Sequence, residues 1–172
     1  MRAFKELWTS DSPTFEGKYC RFTNVTFAPK PVQKPHPPIW TGGESPAALR
    51  RAGRLANVWY PLGSNPRYPV ATHTQYADYA TRVKRYAQDA GRDPASLHFA
   101  YRTNWFNDQQ ASTLPDGQRR LLTGTPQQIA DDIKRYQDLG VRYMMVNLQG
   151  ETQTQTLERM QRFADRIMPL TA

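Results

Sequence analysis

The chain has 172 residues, of which 38% are hydrophobic and 12% aromatic, so it is long enough to form a domain with its own core. Its 23 Lys and Arg residues against 15 Asp and Glu residues give a formal net charge of +8. The basic residues are scattered, which favours solvated helix faces over a nucleic-acid surface. Cys20 is the only cysteine, which excludes an internal disulfide, and the Cys and His residues show no metal-binding spacing.

No targeting or membrane segment is indicated by the sequence. The first residues include Arg2, Lys5 and Glu6 rather than an apolar signal region. No stretch approaches the roughly eighteen apolar residues of a membrane span. We therefore expect a cytoplasmic protein with neither a membrane nor a nucleic acid as its partner.

Residues 1–38 are expected to lead into the fold. Phe4, Leu7 and Trp8 have helical spacing without a capping residue before them, so the chain is expected to enter in the middle of a helix. The segment 19–27 suggests a short extended ribbon, and the prolines of 29–38 exclude a helix. A proline-rich run also occurs in ligands of SH3-like domains, but a rigid approach to the next strand is the simpler interpretation.

From residue 39 onwards, a short apolar strand, a turn and an amphipathic helix follow one another four times, which predicts βαβ units and a parallel sheet. The predicted strands are 39–41, 58–60, 97–106 and 141–148. The predicted helices have apolar residues at helical spacing over 45–55, 76–87, 126–139 and 157–167. Both an open sheet covered on two faces and half of a closed barrel fit this pattern. The absence of a Gly-x-Gly-x-x-Gly fingerprint disfavours the nucleotide-binding open sheets.

The most specific local motif is WTGGESP at positions 40–46. Ser45 is suited to cap the following helix, and Pro46 is suited to its first turn. Gly42 and Gly43 would let a ligand approach the backbone closely, and a helix N-terminus attracts phosphate. The same residues also fit an ordinary capped turn, so the motif alone leaves both interpretations open.

Further candidates lie where the predicted strands end, because active-site residues of parallel barrels collect there. Arg102 and Asn104 lie near the end of the third strand, and Tyr60 ends the second. Arg102 is a candidate for binding an anion, although a solvated arginine is the plainer interpretation. Tyr60 would be either a substrate wall or a core residue, and Asn147 and Gln149 would line the same mouth.

An ordered series of segments resembles one protein family. The segments are FEGKY at 15–19, PKPVQ at 29–33, PPIWTGGESPAALRRA at 37–52, WYP at 59–61 and LTGTP at 122–126. Together they resemble the luciferase-like monooxygenases and, within that family, members that use coenzyme F420, a deazaflavin. The resemblance covers essentially the whole chain.

This resemblance implies an α/β fold that is part of a TIM (β/α)8 barrel. Residues 1–172 would form a single domain fragment, with 1–38 as the end of helix four plus a proline-rich connection and 39–172 as units five to eight. A complete barrel of this type needs about 250 residues. We therefore expect the C-terminal part of such a barrel, inactive on its own.

The resemblance also implies a flavin- or F420-dependent oxidoreductase or monooxygenase acting on a small molecule by hydride transfer. FMN or F420 would bind with its phosphate near Thr41, Gly42, Gly43 and Ser45. The ring would rest mainly on strands of the other half, so no general acid or base is assigned here.

A second class of function is a non-catalytic interaction module. Half of a barrel leaves two unpaired sheet edges, and the strand at 141–148 would be one of them. Such edges promote association. We therefore expect a homo-oligomer, formed either by an enzyme subunit or by a half-barrel that only dimerises.

Overall fold

The computed structural model describes residues 1–172, which form two compact units, Met1–Ile39 and Trp40–Ala172. The first unit contains helix α1 (Arg2–Thr9) and an antiparallel ribbon of strands β1 (Phe15–Glu16) and β2 (Arg21–Phe22). Helix α1 has no side-chain cap, as the sequence indicated. The ribbon begins before residue 19, earlier than predicted. The proline-rich segment contains neither helix nor strand, as predicted.

The second unit alternates four parallel strands with four helices, as predicted. The strands are β3 (Trp40–Thr41), β4 (Val58–Trp59), β5 (His98–Thr103) and β6 (Val141–Val146). The helices are α2 (Pro46–Leu55), α3 (His73–Gln88), α4 (Pro126–Asp138) and α5 (Gln153–Arg166). The strands pair in the order β3-β4-β5-β6. This sequential order is that of a barrel segment, whereas a doubly wound open sheet reverses its order.

The strands are shorter than predicted, and β5 shows the physical reason. It ends at Thr103 instead of residue 106. The Thr103 hydroxyl donates to the Trp105 carbonyl oxygen at 2.8 Å and accepts the Trp105 N–H at 3.1 Å. This side chain closes a local turn, which stops the strand although the next residues are aromatic.

Two of the helices begin at capping boxes. Thr125 and Gln128 form the predicted one at α4, and Thr72 and Gln75 form another at α3. Helix α4 ends one residue before the predicted end at 139, and its predicted apolar face is buried. The buried apolar residues of that face are Ile129, Ile133 and Tyr136.

The core lies between one face of the sheet and the helices. Strand residues Trp59 and Tyr101 are fully buried and contact aromatic residues of α3 and α4. The Tyr101 ring stacks on Tyr136 at 4.5 Å and meets Tyr76 edge-on at 5.8 Å. These contacts hold the helices on one side, because successive strand residues point to opposite faces.

The opposite face of the sheet is concave. In a flat sheet, strands spaced about 4.8 Å apart would put β3 and β6 roughly 14 Å from each other. The rings of Trp40 on β3 and Tyr143 on β6 nevertheless meet at 5.1 Å, and Trp40 also meets Tyr60 at 5.8 Å. Trp40 and Tyr143 remain 41% and 45% exposed. The sheet is thus curved like a barrel wall, with aromatic residues on its inner side.

No helix is both long and apolar enough to cross a membrane.

Candidate cofactor and substrate site

The turn between β3 and α2 requires glycine at two positions. Gly43 has a φ of +96°, which other residues rarely adopt, and a Cβ there would lie 2.9 Å from the Ala48 Cβ. A Cβ at Gly42 would lie 3.0 Å from the Tyr60 carbonyl oxygen. The backbone of this turn is therefore closely packed against its neighbours, with no side chain to shield it.

The same turn presents hydrogen-bond donors. Ser45 caps α2, and its hydroxyl accepts the Ala48 N–H at 3.3 Å. The N–H groups of Gly43, Glu44 and Ser45 make no hydrogen bond within the chain. The Thr41 hydroxyl is buried and also lacks a partner. Unpaired donors beside a helix N-terminus suit an anion such as phosphate.

Glu44 fixes this turn to the next loop, a role that the sequence did not reveal. The side chain is buried, and its two carboxylate oxygens accept the Leu62 N–H at 2.6 Å and the Asn65 side-chain amide at 2.8 Å. The Trp59 indole N–H also donates to the Gly43 carbonyl oxygen, at 3.1 Å. Three hydrogen bonds therefore hold the glycine turn against β4 and its loop.

A cleft of about 320 Å³ lies on the inner face, at the carboxyl ends of the strands. It is lined by Tyr60, Arg102, Met145, Val146, Asn147 and Gln149. The structure thus brings together the sequence candidates from three different strands. Asn104 lies apart from this lining, and its amide donates to the Ser64 hydroxyl at 2.8 Å.

The titratable groups with shifted pKa values do not line the cleft. Burial raises the pKa of Tyr101 to about 12 and also raises the pKa of Tyr76 and of Tyr136. Burial lowers the pKa of His73, whose Nε2 lies 3.0 Å from the Asp132 carbonyl oxygen. All of these groups lie on the helix side of the sheet, so none of them is positioned as a general acid or base for the cleft.

An ion pair shapes the long connection between β5 and α4. The buried Asp132 carboxylate accepts two hydrogen bonds from Arg119, at 2.9 and 2.6 Å, and one from the Leu122 N–H at 2.7 Å. Arg119 also donates to the Thr123 carbonyl oxygen at 2.6 Å. The LTGTP segment is therefore held against α4 by the buried Asp132 carboxylate and its partner Arg119.

Sequential parallel strands, a glycine turn at a helix N-terminus and a cleft at the carboxyl ends of the strands are the features found at the ligand-binding end of a (β/α)8 barrel. The chain belongs to the luciferase-like monooxygenase family, whose model matches residues 1–106. This finding confirms the resemblance seen in the sequence motifs.

Two curated relatives are FMNH2-dependent dimethylsulfone monooxygenases. The one from Pseudomonas putida is 45% identical over 65 residues, which cover 38% of this chain and 18% of the relative. The one from Pseudomonas fluorescens is 24% identical over 208 aligned positions, which cover 99% of this chain and 55% of the relative. The chain thus spans about half the length of the relative that it matches throughout.

Solved structures confirm the fold. The F420-dependent tetrahydromethanopterin reductase from Methanopyrus kandleri superposes with a TM-score of 0.74 at 15% identity, over 99% of this chain and 61% of that one. An F420-dependent secondary alcohol dehydrogenase superposes with a TM-score of 0.70 at 14% identity, over 98% and 58% of the two chains. The partial (β/α)8 architecture predicted from the sequence is therefore confirmed.

Proposed function

We propose that this chain forms the phosphate-binding and substrate-lining part of a flavin- or F420-dependent oxidoreductase. The observation that carries the proposal is the turn of residues 41–45. It combines unpaired N–H groups and a buried hydroxyl without a partner. Both glycines of the turn are packed so closely that an added Cβ would lie 3.0 Å or less from a neighbouring atom. The relatives that use FMNH2 and the structural neighbours that use F420 support this choice of ligand.

The residues of the turn fit the phosphate of either cofactor. The N–H groups of Gly43 and Ser45 would donate to phosphate oxygens, and the Thr41 hydroxyl would supply a further donor. The N-terminus of α2 favours the negative charge of the phosphate. The bound cofactor would supply hydride transfer at its ring, while the chain binds and orients it.

The cleft would receive the small-molecule substrate next to the cofactor. Tyr60 and Met145 provide apolar walls, while Arg102 and Asn147 provide polar groups. Glu44 joins the glycine turn to the loop that follows Tyr60. It would thereby keep the proposed phosphate-binding turn at a fixed distance from the Tyr60 wall of the cleft.

Titration of the purified chain with FMN and with riboflavin tests the proposal, because the two ligands differ only by the phosphate. We expect FMN to bind at least about tenfold more tightly, the effect of one hydrogen bond to a charged group. Gly43→Val should remove this preference. Gly140→Val is the matched control, since Gly140 also has a positive φ, +86°, but lies outside the turn. Equal affinities for FMN and riboflavin would contradict the proposal.

A second candidate function, self-association, is favoured by the β6 side of the unit. Strands β3 and β6 each pair on one side only. Helix α5 has no buried residue, and Leu157 and Met160 on it are 57% and 51% exposed. A second copy would cover these apolar groups by adding its own sheet edge. Sedimentation should show a dimer that Leu157→Lys with Met160→Lys dissociates, and a monomer at micromolar concentration would refute this candidate.

A further inference from the structure

A cluster of positive charge lies on the exposed surface of helices α2 and α3, on the helix side of the sheet. Arg50 and Arg54 are about one helical turn apart on α2, and Arg85 lies in the last turn of α3. The guanidinium carbons of Arg50 and Arg85 each lie 5.6 Å from the centre of the Tyr86 ring. Two like charges are therefore held beside one aromatic side chain.

No carboxylate neutralises these three arginines. The ion pairs of the chain are formed by other arginines, namely Arg21, Arg82, Arg119 and Arg162. Like charges one turn apart on a helix repel each other, as Arg50 and Arg54 do. Attraction of a basic residue to the C-terminus of its own helix accounts for Arg54 and for Arg85 separately. It does not account for Arg50 and Arg85 meeting at one ring.

The Tyr86 phenol responds to this charge. Desolvation acts to raise the pKa of the phenol, yet that pKa is lowered overall, because hydrogen bonding from Arg50 and Arg85 and their positive charge favour the phenolate. The surroundings of the phenol oxygen therefore stabilise a negative charge, which the neutral tyrosine itself does not supply.

A pocket of about 260 Å³ lies beside the cluster and is lined by Arg50, Arg54, Tyr86, Asp89 and Ala90. Asp89 is the acidic residue of this lining, and it makes no ion pair. The pocket lies at the C-terminal ends of α2 and α3. In a (β/α)8 barrel these helix ends lie opposite to the mouth where the glycine turn and the cleft are found. The pocket is therefore separate from the proposed cofactor and substrate site.

We propose that the Arg50 and Arg54 guanidiniums, with Arg85 beside them, bind a phosphate monoester group at this pocket. Guanidiniums donate paired hydrogen bonds to phosphate oxygens. A doubly charged group offsets the repulsion between neighbouring cations more fully than a carboxylate does. Free phosphate monoesters and the headgroup of phosphatidic acid both carry such a group, and the experiment below separates these two sources. This inference does not depend on the proposed function.

Titration of the full chain with inorganic phosphate tests the site, with the arginine side-chain Nε–H signals in 1H–15N spectra as the readout. Millimolar phosphate should shift the signals of Arg54 and Arg85 saturably, whereas sodium chloride at equal ionic strength should not. Arg50→Gln should weaken this binding at least about tenfold, the effect of one hydrogen bond to a charged group. Arg51→Gln is the matched control, because Arg51 is an exposed neighbour on α2 outside the pocket lining.

The pKa of Tyr86 provides a second readout, which a purely structural role of the arginines would not change. Bound phosphate should raise the pKa of this phenol, because the anion opposes its ionisation. A pH titration of 13C-labelled tyrosine, with and without phosphate, measures the effect. Sedimentation with vesicles identifies the source of the group. Retention on phosphatidic acid vesicles that Arg50→Gln abolishes supports a lipid, and phosphate binding without such retention supports a free monoester.

Three results would overturn the inference. They are the absence of a saturable shift, an equal shift with sodium chloride, and equal weakening by Arg50→Gln and Arg51→Gln. Phosphate should also reach the glycine turn, but the backbone amides of Gly43 and Ser45 report that event separately. Failure of this site and failure of the cofactor proposal are therefore distinguishable. Unfolding curves for both variants establish that each is folded.

Discussion

Replacing Ser45 by alanine separates the two roles that the glycine turn combines. The Ser45 hydroxyl caps α2 through one rather long hydrogen bond, 3.3 Å to the Ala48 N–H. Loss of an N-cap costs about 0.5–2 kcal/mol, and this length places Ser45 near the lower end, about 0.5–1 kcal/mol. The Ser45 hydroxyl can also donate its own hydrogen to the cofactor phosphate, and loss of that bond would weaken FMN binding by about 1–2 kcal/mol.

Urea unfolding measures the first effect, and FMN titration measures the second. Thr125→Ala is the control, because Thr125 caps α4 with a similar bond of 3.2 Å but is far from the turn in sequence. Both variants should lose stability, and only Ser45→Ala should lose FMN affinity. Ser45→Ala with reduced stability and unchanged FMN affinity would leave the residue with its capping role alone.

Three further substitutions test how the site is supported. Asp132→Asn should lower the free energy of unfolding by about 3–5 kcal/mol, because it leaves the half-buried charge of Arg119 without its partner; a loss below about 1 kcal/mol in urea unfolding would contradict this. Burial lowers the pKa of His73, so the unfolded chain binds a proton more readily and stability should fall as the pH drops below 6.5. His73→Gln should flatten that part of the pH profile, and an unchanged slope would refute the assignment. Gly53→Ala should cost about 1–3 kcal/mol, because its Cβ would lie 2.5 Å from a backbone oxygen of α3. Gly91→Ala, where φ is +70° and nothing lies within 4 Å of the added Cβ, measures the cost of backbone strain without a packing clash.

The sequence predicted those parts of the fold that depend on neighbouring residues. The capping box at Thr125 and Gln128 gave α4 to within one residue, because both partners lie in the same turn. Alternation of apolar strands and amphipathic helices gave the order of the elements and the parallel sheet. The predicted strand ends were less accurate. Thr103 ends β5 because its hydroxyl accepts the Trp105 N–H, and the hydrophobic periodicity of the sequence does not indicate such a bond.

The remaining features depend on residues far apart in the chain. Glu44 carries no local signal, and its importance is visible only when the loop with Leu62 and Asn65 folds onto it. The contact between Trp40 and Tyr143 similarly arises from the curvature of the whole sheet. Sequence motifs therefore predicted the glycine turn as a candidate site, whereas its anchoring and the neighbouring cleft became visible only in the three-dimensional structure.

The most direct test of the central claim is the response of individual backbone amides to the cofactor. In 1H–15N spectra of the full chain, FMN should shift the amide signals of Gly43 and Ser45, because their N–H groups are the proposed phosphate donors. Riboflavin should leave these two signals nearly unchanged. If FMN binds and shifts other amides while those of Gly43 and Ser45 stay in place, this turn is not the phosphate site.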